Sequence, residues 1–185
     1  MKRLQRSAII LSLIESLHHK GSWCGETHIQ KSTYFLQDML DVPLGFDFIL
    51  YKHGPFSFDL NDELAAMRAN DILTLRPRPP YGPSILPGPR SEQLKKLSPR
   101  TLSKYHKNVE FVARELSAYG VADLERLATA VYVTAGQSLS NTPRDKQAEH
   151  IHSLKPHISV QAAMDSLDTG KRIRSKANHL AGTAK

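Results

Sequence analysis

Residues 76–90, RPRPPYGPSILPGPR, restrict the fold more than any other part of the sequence, because six of these fifteen residues are proline. Proline fixes φ and lacks a backbone N–H, so the segment forms neither a helix nor a central strand of a sheet. Two structures remain: an exposed loop, or a long hairpin in which SIL at 84–86 is a short returning strand. In both, the prolines stiffen the backbone toward an extended shape.

The remainder of the sequence is mainly helical. Apolar residues recur at helical spacing in several segments, and Gly21 and Gly120 stand where two of these helices are expected to end. Ser57, which follows Pro55, is placed to cap a further helix. Short apolar runs bounded by glycine or by polar residues predict strands. The predicted helices are 3–18, 27–40, a helix after Ser57, 101–118, 121–136, 143–153 and 158–167, and the predicted strands are 46–51 and 72–75.

These elements predict a mainly α fold of the α+β class. We expect one compact domain over residues 1–170, with five to seven helices and a small sheet or β-hairpin. The order helix, strand, helix and hairpin resembles winged-helix folds, although two helices precede the first strand here. Residues 171–185 lose apolar content and gain charge, which predicts a basic tail that is frayed or extended.

Composition points to a cytoplasmic protein. The chain is 40% hydrophobic, which is too apolar for a disordered protein, yet it has no apolar run near the ~20 residues that span a bilayer. The apolar start is interrupted by polar residues, so we interpret it as an amphipathic helix and not as a signal peptide. A single cysteine cannot form an internal disulfide, which is typical of a reducing compartment.

Positive charge is concentrated in residues 76–114, which hold nine basic and two acidic residues. Cations around Tyr81 favour a nucleic-acid-binding surface, through phosphate pairing and base stacking. The alternative is a solvated helix face beside a proline-rich loop. The candidate nucleic-acid-binding residues are Arg76, Arg78, Arg90, Lys95, Lys96, Arg100, Lys104, Lys107 and Arg114.

Residues 51–57, YKHGPFS, form the second candidate site. Gly54 permits a backbone conformation closed to other residues, Pro55 fixes φ, and Ser57 caps the helix that follows. We therefore expect a rigid strand-to-helix junction that presents its side chains to a partner, with His53 able to change charge near neutral pH. The candidate partner-binding residues are Tyr51, Lys52, His53, Gly54, Pro55, Phe56 and Ser57.

Catalytic and metal-binding patterns are weak. A hydrolase centred on His53 and Ser57 is one alternative, but Ser57 lacks the second glycine of a nucleophile elbow. HExxH is absent, Cys24 has no paired cysteine, and the histidines are scattered. We therefore expect no catalytic residues, no metal and no cofactor.

Three segments carry a family resemblance. IQKSTYFLQ at 29–37 resembles an LQKLxYFxQ helix of small prokaryotic proteins, and FILYKHGPFSFDLNDEL at 48–64 resembles their F-x-x-Y-x-x-GP-[YF]-S segment. LERLATAVYV at 124–133 resembles a later helix of the same proteins. Over about residues 8 to 165 the chain is similar to YwgA-like uncharacterised proteins and, more distantly, to the Panacea domain of SocA-type antitoxins.

The resemblance implies a module that neutralises or regulates a partner protein, such as a toxin, without catalysis. We therefore expect a non-enzymatic, antitoxin-like protein-binding function. The alternatives are a nucleic-acid-binding regulator or phage-defence accessory that uses residues 76–114, and the hydrolase.

Overall fold

The computed structural model describes residues 1–135 and 142–182. Over those ranges it contains eight α-helices and two small antiparallel sheets of two strands each, so the mainly α prediction is confirmed. None of the helices in these ranges is both long enough and apolar enough to cross a membrane. The helices are α1 (Arg3–His19), α2 (Glu26–Tyr34), α3 (Phe58–Ala69), α4 (Ser91–Leu97), α5 (Pro99–Leu116), α6 (Val121–Ala135), α7 (Arg144–Leu154) and α8 (Val160–Gly182), and the strands are β1 (Ile49–Tyr51), β2 (Gly54–Phe56), β3 (Leu73–Arg78) and β4 (Tyr81–Pro87).

The chain forms two compact units, whereas its sequence predicts one domain over residues 1–170. Unit 1 consists of Met1–Phe48 and Ser57–Tyr119, and unit 2 consists of Ile49–Phe56 and Gly120–Lys185. The short β1–β2 hairpin therefore belongs to the later part of the chain, although unit 1 flanks it on both sides in sequence. No local sequence pattern reveals that the hairpin packs with residues so much later in the chain, because this depends on long-range contacts.

In unit 1, α1 is the central helix and packs against α2, α4, α5 and β4. Its apolar side chains from Ile9 to Leu17 are fully buried. A π-helical turn, Phe35–Met39, continues α2. The predicted helix over 27–40 is thus a regular helix followed by a wider turn, and it begins at Glu26 with Gly25 as its N-cap.

The proline-rich segment is a hairpin and not a loop, which decides between the two structures that its sequence allows. β3 and β4 are antiparallel, with Leu75 opposite Ile85 and Arg78 opposite Tyr81. The register is irregular between Arg76 and Arg78, where Pro77 supplies no N–H to the ladder. In a two-stranded sheet both strands are edge strands, and edge strands tolerate proline.

In unit 2, α6, α7 and α8 pack on one another, and β2 packs on α6. Their shared core contains Ala130, Ile151, Ile158 and Leu167, and Leu50 of β1 packs against it. Leu50 thereby anchors the inner face of the hairpin.

The frayed or extended conformation predicted for the basic tail is wrong for residues 171–182, because α8 continues to Gly182. Gly170, Ile173 and Ala177 are buried and continue the helical spacing of Ala163 and Leu167, while the charged residues between them are exposed. This buried face keeps the segment helical despite its charge. Residues 183–185 of the predicted tail and residue 136 of the predicted helix 121–136 lie outside the described residues.

Candidate functional site

The β1–β2 hairpin has an inner and an outer face. Ile49 lies opposite Phe56 and Tyr51 lies opposite Gly54, so Ile49, Tyr51 and Phe56 share one face of the ribbon. Ile49 is 47% exposed and Tyr51 is 44% exposed, whereas Leu50 on the other face packs into the core. The rings of Tyr51 and Phe56 are 5.7 Å apart. We call the outer side chains Ile49, Tyr51 and Phe56, together with His53 at the turn, the hairpin surface.

Two groups from later in the chain hold the turn of this hairpin. The Lys155 ammonium, just after α7, donates hydrogen bonds to the carbonyl oxygens of Tyr51 and Lys52. Gly54 has a φ of +80°, a left-handed conformation that favours glycine, as the sequence predicts. The turn is therefore fixed by a charged donor in addition to its own backbone pairing.

The second group is the carboxylate of Glu125 on α6, which is buried and accepts hydrogen bonds from two histidines. His53 Nδ1 lies 3.1 Å from Glu125 Oε2, and His157 Nε2 lies 3.0 Å from Oε1. A carboxylate only accepts, so both imidazoles donate. The two donors satisfy a carboxylate that would otherwise be costly to bury. The imidazoles themselves remain open to solvent, with the His53 side chain 71% and that of His157 58% exposed.

Glu125 is within reach of His53, as a catalytic dyad would require, but the proposed nucleophile is not accessible. Ser57 is 0% exposed, and its hydroxyl accepts a hydrogen bond from the Leu60 N–H at the start of α3. Its backbone N–H and C=O pair with the Gln30 side-chain amide, each at 3.0 Å. The prediction that Ser57 caps a helix is confirmed, and its burial removes the nucleophile from the hydrolase hypothesis.

Burial also narrows the predicted partner-binding set. Gly54, Pro55 and Ser57 are buried, so they shape the junction and offer no side chain at the surface. Tyr51, Lys52 and His53 are exposed, and Phe56 is half-buried. Over the described residues, no three His, Cys, Asp or Glu side chains are grouped so as to hold a metal ion.

The predicted nucleic-acid-binding cations all lie in unit 1 but on different elements. Lys95 is neutralised within the protein, because its ammonium contacts Glu15 at 3.0 Å and also pairs with Glu92. Arg114 pairs with Glu115 at 3.4 Å. The remaining cations, like Arg114, are exposed: Arg76 and Arg78 lie on β3, Arg90 precedes α4, Lys96 is in α4, and Arg100, Lys104 and Lys107 are on α5.

One of these cations belongs to an aromatic cluster. The Arg78 guanidinium lies 4.7 Å from the centre of the Trp23 ring, and the ring of Tyr81 lies 5.5 Å from Trp23. The Trp23 indole N–H donates to Nδ1 of the buried His28 at 3.2 Å. We call Trp23, Arg78 and Tyr81 the Trp23 cluster.

Sequence reasoning misses Glu125, Lys155 and His157. A signal exists for Glu125, because a carboxylate in a helix that is apolar on nearly every side needs buried donors. Lys155 and His157 follow α7 in a short polar stretch, and only the fold brings them to a hairpin about a hundred residues earlier.

Comparison with known proteins identifies no family: no family model and no curated protein matches the chain. The resemblance to YwgA-like proteins and to the Panacea domain therefore stays a prediction.

Proposed function

We propose that this protein acts by binding a partner protein through the hairpin surface, in the manner of an antitoxin-type module that neutralises or regulates its partner. The proposal rests on one observation: Ile49 and Tyr51 are exposed on a hairpin whose turn is held by Lys155 and Glu125. Apolar and aromatic side chains in such positions are the usual anchors of protein interfaces.

Rigidity of the hairpin supports this function. Lys155 holds the turn carbonyls and Glu125 holds His53, so the hairpin does not have to become ordered when a partner arrives. A preorganised surface loses less conformational entropy on binding, and more of its contact energy appears as affinity.

The kind of side chain favours a protein partner at this surface. Ile49 offers aliphatic area, which suits a desolvated protein interface better than a phosphate backbone. Leu154, which precedes Lys155 in the chain, is another exposed aliphatic residue of unit 2, at 45% exposure. The GP-[YF]-S motif of the family resemblance also coincides with this hairpin, which agrees with a neutralising role.

The test is co-purification with the products of the neighbouring genes, measured for the wild type and for Tyr51→Ala and Ile49→Asp. Both variants should retain the fold and lose at least ~10-fold in affinity, as expected for interface anchors. Leu97→Ala is the control, because Leu97 is 68% exposed on α4 in unit 1 and lies far from the hairpin in sequence. If the partner is a toxin, growth arrest caused by it should be relieved by the wild type and not by Tyr51→Ala. Unchanged binding by both hairpin variants would exclude this surface.

A further inference from the structure

The Trp23 cluster lies outside the hairpin surface and belongs to the other unit, so the proposed function does not use it. Tyr81 is 62% exposed, the largest exposed fraction of any aromatic side chain among the described residues. An exposed ring beside arginines offers both a face on which a base can stack and cations that can pair with phosphate. We propose that the Trp23 cluster, with the adjacent Arg76, binds single-stranded nucleic acid.

Contacts within the protein hold the Trp23 cluster in place before any ligand binds. The His28 imidazole orients the Trp23 indole, Arg78 lies over the indole face, and Tyr81 stands opposite Arg78 in the hairpin ladder. Tyr81 can then stack on an unpaired base, while the outward N–H groups of Arg78 reach a phosphate. Stacking on aromatic rings beside cations is the general mode of single-strand binding.

Arg76 supplies the second phosphate contact. It lies two residues before Arg78 on β3, is exposed, and makes no ion pair within the described part of the chain. The neighbouring prolines hold this strand extended, which matches the extended path of a single strand.

A duplex fits this part of unit 1 less well. The helix that leads into the hairpin is α3, and it exposes Asp59 and Asp62 against a single exposed cation, Arg68. A helix that enters the major groove runs between two phosphate backbones, and these carboxylates would be repelled there. Stacking on the hairpin requires no such insertion.

The experiment measures fluorescence anisotropy of labelled 15-nucleotide single-stranded DNA, single-stranded RNA and the matching DNA duplex, with the full-length protein. Single strands should bind more tightly than the duplex, and the emission of Trp23, the one tryptophan of the chain, should fall on binding. The DNA and RNA arms identify the preferred strand. With two phosphate contacts, the plot of log K against log salt should have a slope of about −1.4.

Variants locate the site. Tyr81→Ala should weaken single-strand binding by about 5- to 150-fold, the range for loss of one stacked base. Tyr81→Phe keeps the aromatic ring and should bind as tightly as the wild type does. Arg76→Glu should weaken binding and flatten the salt dependence. Tyr105→Ala on α5 is the control for the ring and should bind as the wild type does, as should Tyr51→Ala of the hairpin surface. Lys107→Glu on α5 is the control for the charge change and should weaken binding less than Arg76→Glu does.

Three results would overturn the assignment: no single-strand binding at 50 mM salt, tighter binding of the duplex, or a loss with Lys107→Glu as large as that with Arg76→Glu. Because Tyr51 and Tyr81 belong to different units, failure here leaves the proposed protein-binding function untouched.

Discussion

At the scale of single residues, the candidate site depends on Glu125. One buried carboxylate receives an N–H from the hairpin turn and another from the segment between α7 and α8. The residue therefore links two pieces of chain that are distant in sequence, and it does so without contributing to the exposed surface.

Replacing Glu125 with alanine should loosen the hairpin more than it destabilises the whole protein. We expect faster hydrogen exchange for the amides of residues 49–56 and a loss of about 1–2 kcal/mol in the free energy of unfolding, because two charge-assisted hydrogen bonds disappear. Exchange measured by mass spectrometry checks this. Asp123→Ala is the control, since that carboxylate pairs with Arg126 at the surface of the same helix. Equal exchange in both variants would contradict the role given to Glu125.

A second prediction at this scale concerns Cys24, whose side chain is fully buried in unit 1. Burial raises the pKa of the Cys24 thiol from 9.0 to about 12. The unfolded chain therefore releases this proton near pH 9 while the folded protein keeps it, so the free energy of unfolding falls as the pH rises from 9 toward 12. At pH 10 the loss from this group is about 1 kcal/mol.

Urea unfolding of the wild type and of Cys24→Ala at pH 8 and pH 10 isolates this contribution. The wild type should lose about 1 kcal/mol more between the two pH values than the variant does. The native thiol should also react slowly with iodoacetamide, since the thiolate is the reactive form. Identical pH dependence in the two proteins, or rapid native alkylation, would refute the burial argument.

At the scale of elements, the sequence predicts what depends on local patterns. The turn at Gly54 and the helix cap at Ser57 are both predicted correctly from the sequence. Each depends on the residue's own backbone or on the next few residues. The short helix α4 is missed, since it follows the proline-rich segment and buries only Ser91 and Leu94. β2 is missed because a Gly-Pro pair suggests a junction, whereas pairing with β1 makes a strand of it.

The cap of α3 provides the prediction at this scale. Ser57→Ala should lower the free energy of unfolding by about 1 kcal/mol, because the Leu60 N–H loses its buried acceptor. Ser57→Gly should lower it by only a few tenths of a kcal/mol, since glycine is a tolerated N-cap. Thermal denaturation followed by circular dichroism measures both. A larger loss for Ser57→Gly than for Ser57→Ala would show that capping does not explain Ser57.

At the scale of the whole molecule, the two units carry different kinds of surface. Unit 2 exposes the rigid apolar hairpin surface, and unit 1 carries the Trp23 cluster and most of the exposed cations named above. Sequence reasoning identifies the two regions from YKHGPFS and from the charge of residues 76–114. Sequence alone cannot place Glu125 beneath YKHGPFS, or Trp23 beside residues 76–114. Both arrangements join residues that only the folded chain brings together.

The central claim is that the hairpin surface docks a partner protein. The most direct measurement introduces a photo-crosslinking benzophenone side chain at position 51 in the full-length protein, and at position 97 on α4 as the control, and irradiates the purified complex with its partner. The account predicts a crosslink to that partner from position 51 and none from position 97. A crosslink from position 97 alone, or equal crosslinking from both positions, would contradict it.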